Sequence, residues 1–275
     1  MRFYKAIIGD SRDMHEVGDR TVQFVITSPP YWNLVEFSPD NPIKGDLSLV
    51  KSKKRFFEEV RMVWEEVYRV LVPGGIFVLE TEDYPVGSRV YGYPRVIFLQ
   101  GDFVKSVEST GLYLISQWFW KKFQSGSALR KFQYTMYDNL HQSTPRAVSN
   151  VAYCFAFMKR TKAGRDSKLD FTRKDWVVWS DSLWYIENPA GELEWGRATF
   201  AVELIKRFIR IYTNKGDTVL DPFVGTGTTL RAAYLLKRNG IGYEVDVGML
   251  DTIKKKACFG QQPLDEEIEW RIIKR

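Results

Sequence analysis

The chain has 275 residues, 44% of them hydrophobic and 27% charged, the balance of a globular protein with length for one large domain or two small ones. Lys and Arg outnumber Asp and Glu 40 to 34, a net charge of +6, which permits phosphate binding without demonstrating it. Cys154, Cys258, His15 and His141 are too few for a Cys/His zinc centre or a disulfide framework, and no apolar run reaches membrane-spanning length, so a reducing cytoplasmic setting is expected.

Ala6 to Ile8 is the first strand candidate and ends at Gly9-Asp10. Val22 to Ile26 is a second apolar run that reads as a buried strand, and it leads into Thr27-Ser28-Pro29-Pro30-Tyr31-Trp32. After a turn-rich stretch from Ser38 to Ser52, Phe56, Val60, Val63, Val67 and Leu71 keep to one face at helical spacing. Pro73-Gly74-Gly75 is expected to stop this helix, and Ile76 to Leu79 to form the next strand. Phe98 to Ser109 reads as a helix with Gly111 as its stop, Tyr113 to Trp120 as a strand, and Val151 to Met158 is again apolar.

Lys121 to Asn150 is basic and has no clear period, Arg160 to Lys174 is polar and charged, and Trp176 to Trp195 is rich in Trp. Leu204, Ile205, Phe208, Ile209 and Tyr212 predict a helix from Thr199 to Tyr212, ended by Asn214 and Gly216. Strand Thr218 to Leu220, the loop Asp221-Pro222-Phe223-Val224-Gly225-Thr226-Gly227-Thr228-Thr229, helix Thr228 to Arg238 and strand Ile241 to Val245 complete a βαβ-like unit. Strands alternating with helices imply an α/β fold with a largely parallel sheet.

Gly225 and Gly227 stand between a strand and a helix start, where missing side chains let a ligand approach backbone N–H groups. Thr228 and Thr229 can cap that helix and add hydroxyls. Glu244 closes the following strand, roughly 20 residues on, where dinucleotide-type folds place an acid for a ribose. A nucleoside triphosphate is disfavoured because the loop holds no Lys. A nicotinamide cofactor prefers a third glycine where Leu230 stands, whereas S-adenosylmethionine needs only the close loop, the ribose acid and groups for its amino-acid end.

Two prolines in a row fix φ and leave carbonyls whose neighbouring N–H groups cannot compete for them. The Pro29 carbonyl and the Ser28 hydroxyl can therefore hold the two hydrogens of a base amino group and pull its nitrogen toward tetrahedral geometry. Tyr31 offers a ring for a base to stack on, worth about 1–3 kcal/mol. A plain proline turn with an aromatic packed behind it explains the same four residues when they are taken alone.

In this order the two motifs resemble those of the DNA amino-methyltransferases, N4-cytosine or N6-adenine type, in the permuted arrangement called the β class. The resemblance extends to Gly9-Asp10, to Tyr68-Arg69-Val70-Leu71-Val72-Pro73-Gly74-Gly75 and to Gly216-Asp217-Thr218-Val219-Leu220. It implies a Rossmann-like α/β methyltransferase fold, a mostly parallel twisted sheet with helices on both faces. It further implies a catalytic half over 1–120, a target-recognition region over 121–195 and a cofactor-binding half over 196–275.

Under the resemblance Ser28, Pro29, Pro30 and Tyr31 are the amine-binding catalytic loop. Asp221, Phe223, Gly225, Gly227, Thr228 and Thr229 hold the methionine part of S-adenosylmethionine, Glu244 its ribose and Asp10 its adenine, with Phe200 lying over the cofactor. Where the family commonly has His and two Pro around that Phe, this chain has Gly196, Arg197 and Ala201.

Lys121, Lys122, Arg130, Lys131 and Arg146 are the candidates for DNA contact. Ser at position 28 is similar to members that methylate N4 of cytosine; adenine N6 is the alternative, followed by an RNA or protein amide methyltransferase and a silent DNA-binding homologue. Neither cysteine stands in a Pro-Cys setting, which disfavours methylation at C5. The implied partner is double-stranded DNA in a prokaryotic cytoplasm, with a cognate restriction endonuclease as a candidate companion and a monomer or homodimer as the assembly.

Overall fold

The apolar runs become strands buried on both faces, and their residues alternate between two cores. The structure, a computed structural model, describes residues 1–32, 38, 42–86, 92–93, 95–122, 151–162, 170–187, 200–261 and 267–275. Strand β1 spans Arg2–Ile8 and β2 Val22–Thr27; helix α1 spans Lys53–Val70 and runs straight into β3, Leu71–Glu82. A small hairpin of β4 (Tyr84–Val86) and β5 (Arg95–Ile97) precedes helix α2 (Gln100–Glu108) and strands β6 (Leu112–Lys121) and β7 (Val151–Lys159). Helix α3 (Arg173–Trp179), strand β8 (Leu183–Tyr185), helix α4 (Val202–Tyr212) and strand β9 (Thr218–Asp221) follow. Helix α5 (Thr228–Leu235), strand β10 (Asn239–Glu244), helix α6 (Leu250–Lys256) and strand β11 (Ile268–Lys274) complete the chain.

One sheet carries nine of these strands in the order β11-β1-β10-β9-β2-β3-β7-β6-β8. β7 runs antiparallel to both of its neighbours and the remaining pairs are parallel, so the sheet is mostly parallel as expected. On one face Val25, Phe77, Leu79 and Leu220 pack with Phe56, Val60, Trp64 and Val67 of α1. On the other, Phe24, Ile26, Val78 and Val219 pack with Leu204, Ile205 and Phe208 of α4 and with Ala232 and Ala233 of α5. Burial of both faces explains why these strands read as continuous apolar runs and not as alternating ones.

β2 leads through α1 to β3 on one side, and β9 leads through α5 to β10 on the other. The chain thus departs in opposite directions from the β9–β2 pair, where Phe24 stands opposite Val219 and Val25 opposite Leu220. In an open α/β sheet such a switch point opens a crevice at the carboxyl ends of the strands.

Three boundaries differ from the sequence reading. Pro73-Gly74-Gly75 does not lie outside the strand: β3 already pairs at Leu71 with Val22, and an irregularity then brings Ile76 opposite Phe24. Gly74, at φ +75°, allows that detour. Helix α4 starts at Val202, because Ala201 is extended and caps it without a side-chain hydrogen bond. Helix α5 ends at Leu235, and Lys237, at φ +60°, turns the chain into β10. Beyond Val245 the structure adds α6 and β11, which the periodicity did not assign.

Residues 121–195 contribute to the sheet itself. β7 and β8 flank β6, and the Trp118 and Trp120 indoles donate to the carbonyls of Trp179 and Ile186 at 3.1 and 2.8 Å. Trp179 and Trp184 are core residues, whereas Trp176 is exposed. Residues 123–150, 163–169 and 188–199 lie outside the described residues, and Arg130, Lys131, Arg146 and Trp195 with them.

Candidate active site

Two loops that are distant in sequence leave neighbouring parallel strands side by side, joined by a single carboxylate. Asp221 ends β9 and is 2% exposed. Its Oδ1 accepts from the Thr27 hydroxyl at 2.6 Å and from the Phe223 N–H at 3.0 Å, and its Oδ2 accepts from the Thr229 hydroxyl at 2.6 Å. Burial raises the Asp221 carboxyl to about 6, against the pull of these three hydrogen bonds. Thr27 immediately precedes Ser28, so Asp221 ties the SPPY loop to the glycine loop. Both of its oxygens are engaged by the chain, so its carboxylate holds these two loops in place.

Gly225 and Gly227 have φ of +53° and +91°, values that favour glycine. Gly227 forms the N-cap of α5 in the left-handed region, so Thr228 and Thr229 lie within the helix and do not cap it. The Val224 N–H donates to the Tyr243 carbonyl and the Gly227 N–H to the Val224 carbonyl, each at 2.9 Å, which holds the loop against β10. Gly242 permits that approach, since a Cβ there would lie 2.7 Å from a Val224 methyl. Leu230 stands where nicotinamide folds place a third glycine, and close packing is recovered from the opposite partner: a Cβ on Gly240 would lie 2.9 Å from Leu230.

A cavity of about 490 Å³ opens above these strand ends. Ser28, Pro29, Pro30 and Tyr31 line it together with Asp221, Phe223, Gly225, Thr228 and Thr229 and with Asp10, Phe200 and Glu244. Gly227 is not among the lining residues; it shapes the loop that is. Glu244 accepts the Asp246 N–H at 3.0 Å, and the Asp10 carboxylate accepts from the Arg12 Nε at 3.0 Å, which presents both acids in fixed orientations.

The catalytic loop is anchored by its tyrosine. The Tyr31 hydroxyl donates to Glu80 Oε2 at 2.6 Å and lies 3.0 Å from the Ser28 Oγ, while the ring packs against the α1-side core. Burial, and then the neighbouring Glu80 carboxylate, hold the phenol well above its usual range, so it stays protonated and donates.

Glu80 and Glu82, near the end of β3, were not identified from sequence, nor were Trp120 and Asp46, which also border the cavity. Two acids spaced by one residue in an otherwise apolar strand beside the SPPY strand were the available signal. Lys122 also borders the cavity, ion-paired with Glu82 and over the Trp120 ring, and burial lowers its pKa. Lys121 turns to the Tyr185 ring at 5.2 Å. Of the basic residues expected at DNA, Lys122 therefore belongs to the same cavity as the SPPY loop.

A crevice at a switch point, lined by both a glycine loop and the SPPY loop, is the setting in which α/β folds place a cofactor and its substrate. The N6_N4_Mtase family, described as DNA methylase, matches residues 22–255, and the chain belongs to it. It is 30% identical to the type II methyltransferase M.MjaI of Methanocaldococcus jannaschii, over 99% of this chain and 97% of that one. It is also 30% identical to M.MthZI of Methanothermobacter thermautotrophicus, over 90% of this chain and 74% of that protein.

Among solved structures, a candidate DNA modification methylase of Thermus thermophilus in complex with S-adenosyl-L-methionine superposes with a TM-score of 0.74. The identity is 25%, with 98% of each chain covered. PvuII DNA methyltransferase shares the fold at a TM-score of 0.67 and 18% identity, with 96% of this chain and 90% of that one covered. The chain is thus a DNA methyltransferase with S-adenosylmethionine as its cofactor. The cavity fits that group: its lining combines a glycine turn for close backbone approach, Phe223 and Phe200, and the acids Glu244 and Asp10.

Proposed function

We propose that this protein methylates the exocyclic N4 amine of a cytosine flipped out of duplex DNA, as a member of the permuted β class. The observation that carries the reading is the placement of Ser28, held by Tyr31 at the end of β2, in one cavity with the glycine loop and Glu244. Glycine-loop residues 223–229 hold the amino-acid end of S-adenosylmethionine, Glu244 its ribose and Asp10 its adenine. When bound, the cofactor supplies an electrophilic methyl group carried on a sulfonium.

The Ser28 hydroxyl and the Pro29 carbonyl accept the two amine hydrogens and draw the nitrogen lone pair out of conjugation with the ring. Flipping costs a few kcal/mol, offset by contacts in the cavity. The chain's contribution is orientation and exclusion of water. Ser28, a neutral hydroxyl, supports cytosine; adenine N6 carries the same kind of amine and is the second reading. Residues of 121–195, with Lys121, Arg130, Lys131 and Arg146, are proposed to contact the duplex around the flipped base.

Digestion of methylated DNA to nucleosides, followed by mass spectrometry, tests the assignment. N4-methylcytosine is expected; N6-methyladenine would transfer the same chemistry to the other base, and no methylated amine would overturn the reading.

A further inference from the structure

Glu80 has a place in the site that neither the glycine loop nor the SPPY loop explains. It is 2% exposed, lies on the central strand β3 next to β2 and borders the cavity. One oxygen, Oε2, accepts the Tyr31 hydroxyl, while Oε1 is buried and has no hydrogen-bond partner among the described residues. An anchor for a phenol needs only one neutral acceptor, such as an amide or a backbone carbonyl. A buried carboxylate with an unmatched oxygen is a costly anchor, and such groups concentrate where chemistry uses them.

The geometry points to a proton path that runs from Ser28 through the Tyr31 hydroxyl to Glu80, so that Glu80 is the acceptor of the proton released when the base amine is methylated. This rests on the amine-methyltransferase reading and adds to it the fate of the proton. The links are the 3.0 Å contact of Ser28 Oγ with Tyr31 Oη and the 2.6 Å hydrogen bond from Tyr31 to Glu80 Oε2.

As the nitrogen lone pair forms the new C–N bond, the pair of the methyl–sulfur bond stays with sulfur and the nitrogen becomes cationic. An N–H bond then breaks and leaves its electrons on nitrogen. Its proton goes to Ser28 Oγ, the Ser28 proton moves to Tyr31 and the Tyr31 proton to Glu80, which ends as a neutral carboxylic acid. Serine and tyrosine finish the cycle as they began. Because the amine proton becomes more acidic as charge grows on nitrogen, the chain of acceptors is strongest in the transition state. Lys122, ion-paired with Glu82 and sensing the Glu80 charge, offsets part of the negative charge at this end of the cavity.

Tyr31→Phe keeps the ring and breaks the path; Glu80→Gln keeps the shape and removes the acceptor. Each variant is first checked for S-adenosylmethionine affinity by calorimetry, expected within about twofold of the unmodified chain. Single-turnover methylation of unmodified genomic DNA is then expected to slow by on the order of 10²-fold in either variant, with little change in the DNA concentration giving half-maximal rate. The double variant should be no slower than the worse single one, because the two residues act in one path.

A readout independent of turnover is the carboxyl 13C resonance of Glu80, assigned by its loss in Glu80→Gln and expected to shift in Tyr31→Phe. Should Glu80→Gln lose cofactor binding, Tyr31→Phe alone decides. Full-rate methylation by Tyr31→Phe, or additive losses in the double variant, would overturn the path while leaving the amine reading intact. Absence of any methylated amine from the unmodified enzyme would overturn the amine reading itself.

Discussion

Ser28 and Asp221 illustrate how differently two polar residues next to one cavity are used. Ser28 turns its hydroxyl to Tyr31 at the cavity wall, so under the proposed function Ser28→Ala removes an acceptor from the amine and leaves the glycine loop untouched. Methylation is expected to fall by on the order of 10²–10³-fold with S-adenosylmethionine affinity nearly unchanged, as read by single-turnover kinetics and calorimetry.

Asp221 instead holds the two loops together at the cost of burying a charge. Its carboxyl titrates at about 6 in the folded chain against an ordinary 3.8. Between those values the folded chain binds a proton that the unfolded chain releases, so this group adds stability as pH falls through about 6 and loses that contribution as pH rises again. In urea unfolding compared between about pH 4 and pH 7, the native chain should gain on the order of 2–3 kcal/mol relative to Asp221→Asn at the acid end. An unchanged difference across that range would contradict the buried, ionised state at neutral pH.

At the scale of elements, the site depends on how closely the glycine loop lies on β10 and α6. Gly227, at φ +91°, also lies near Ile253 of α6, where a Cβ would come within 3.3 Å of its Cα. Gly227→Ala therefore combines an unfavourable backbone angle with a contact that must give way. A loss of about 1–3 kcal/mol and weaker cofactor binding are expected, measured by thermal unfolding with and without S-adenosylmethionine. If the variant kept full affinity, the turn would not be what shapes the site. The motif glycines were legible as a turn, but the role of Gly240 and Gly242 was not, because Leu230 of α5 and Val224 of the glycine loop meet them only once loop and helix fold back on β10.

Over the whole molecule, long-range contacts draw residues 170–187 into the same body as the two motif-bearing parts. Arg238 is fully buried: it ion-pairs with Asp170 at 2.6 Å and donates to the carbonyls of Thr213 and Leu236. Arg238→Ala would leave these partners unmatched and is expected to cost about 3–5 kcal/mol in urea unfolding. A small loss would mean that Asp170 finds water readily. The net charge of +6 favours the duplex in a salt-dependent way, so the logarithm of DNA affinity should fall linearly with the logarithm of salt concentration.

From sequence alone, the order of the two loops, the acid at the end of the β10 run and the apolar periodicity were sufficient for the α/β class and the cofactor. These features are local, since strands, turns and glycine requirements are set by neighbours in the chain. Only the tertiary structure decided that Asp221 is bound to Thr27, that Lys122 belongs to the cavity beside Glu82, and that Glu80 stands behind Tyr31. A side chain's partner across a sheet depends on which strands become neighbours and in what register, and the burial that shifts a carboxyl or an ammonium exists only once both faces of that sheet are covered.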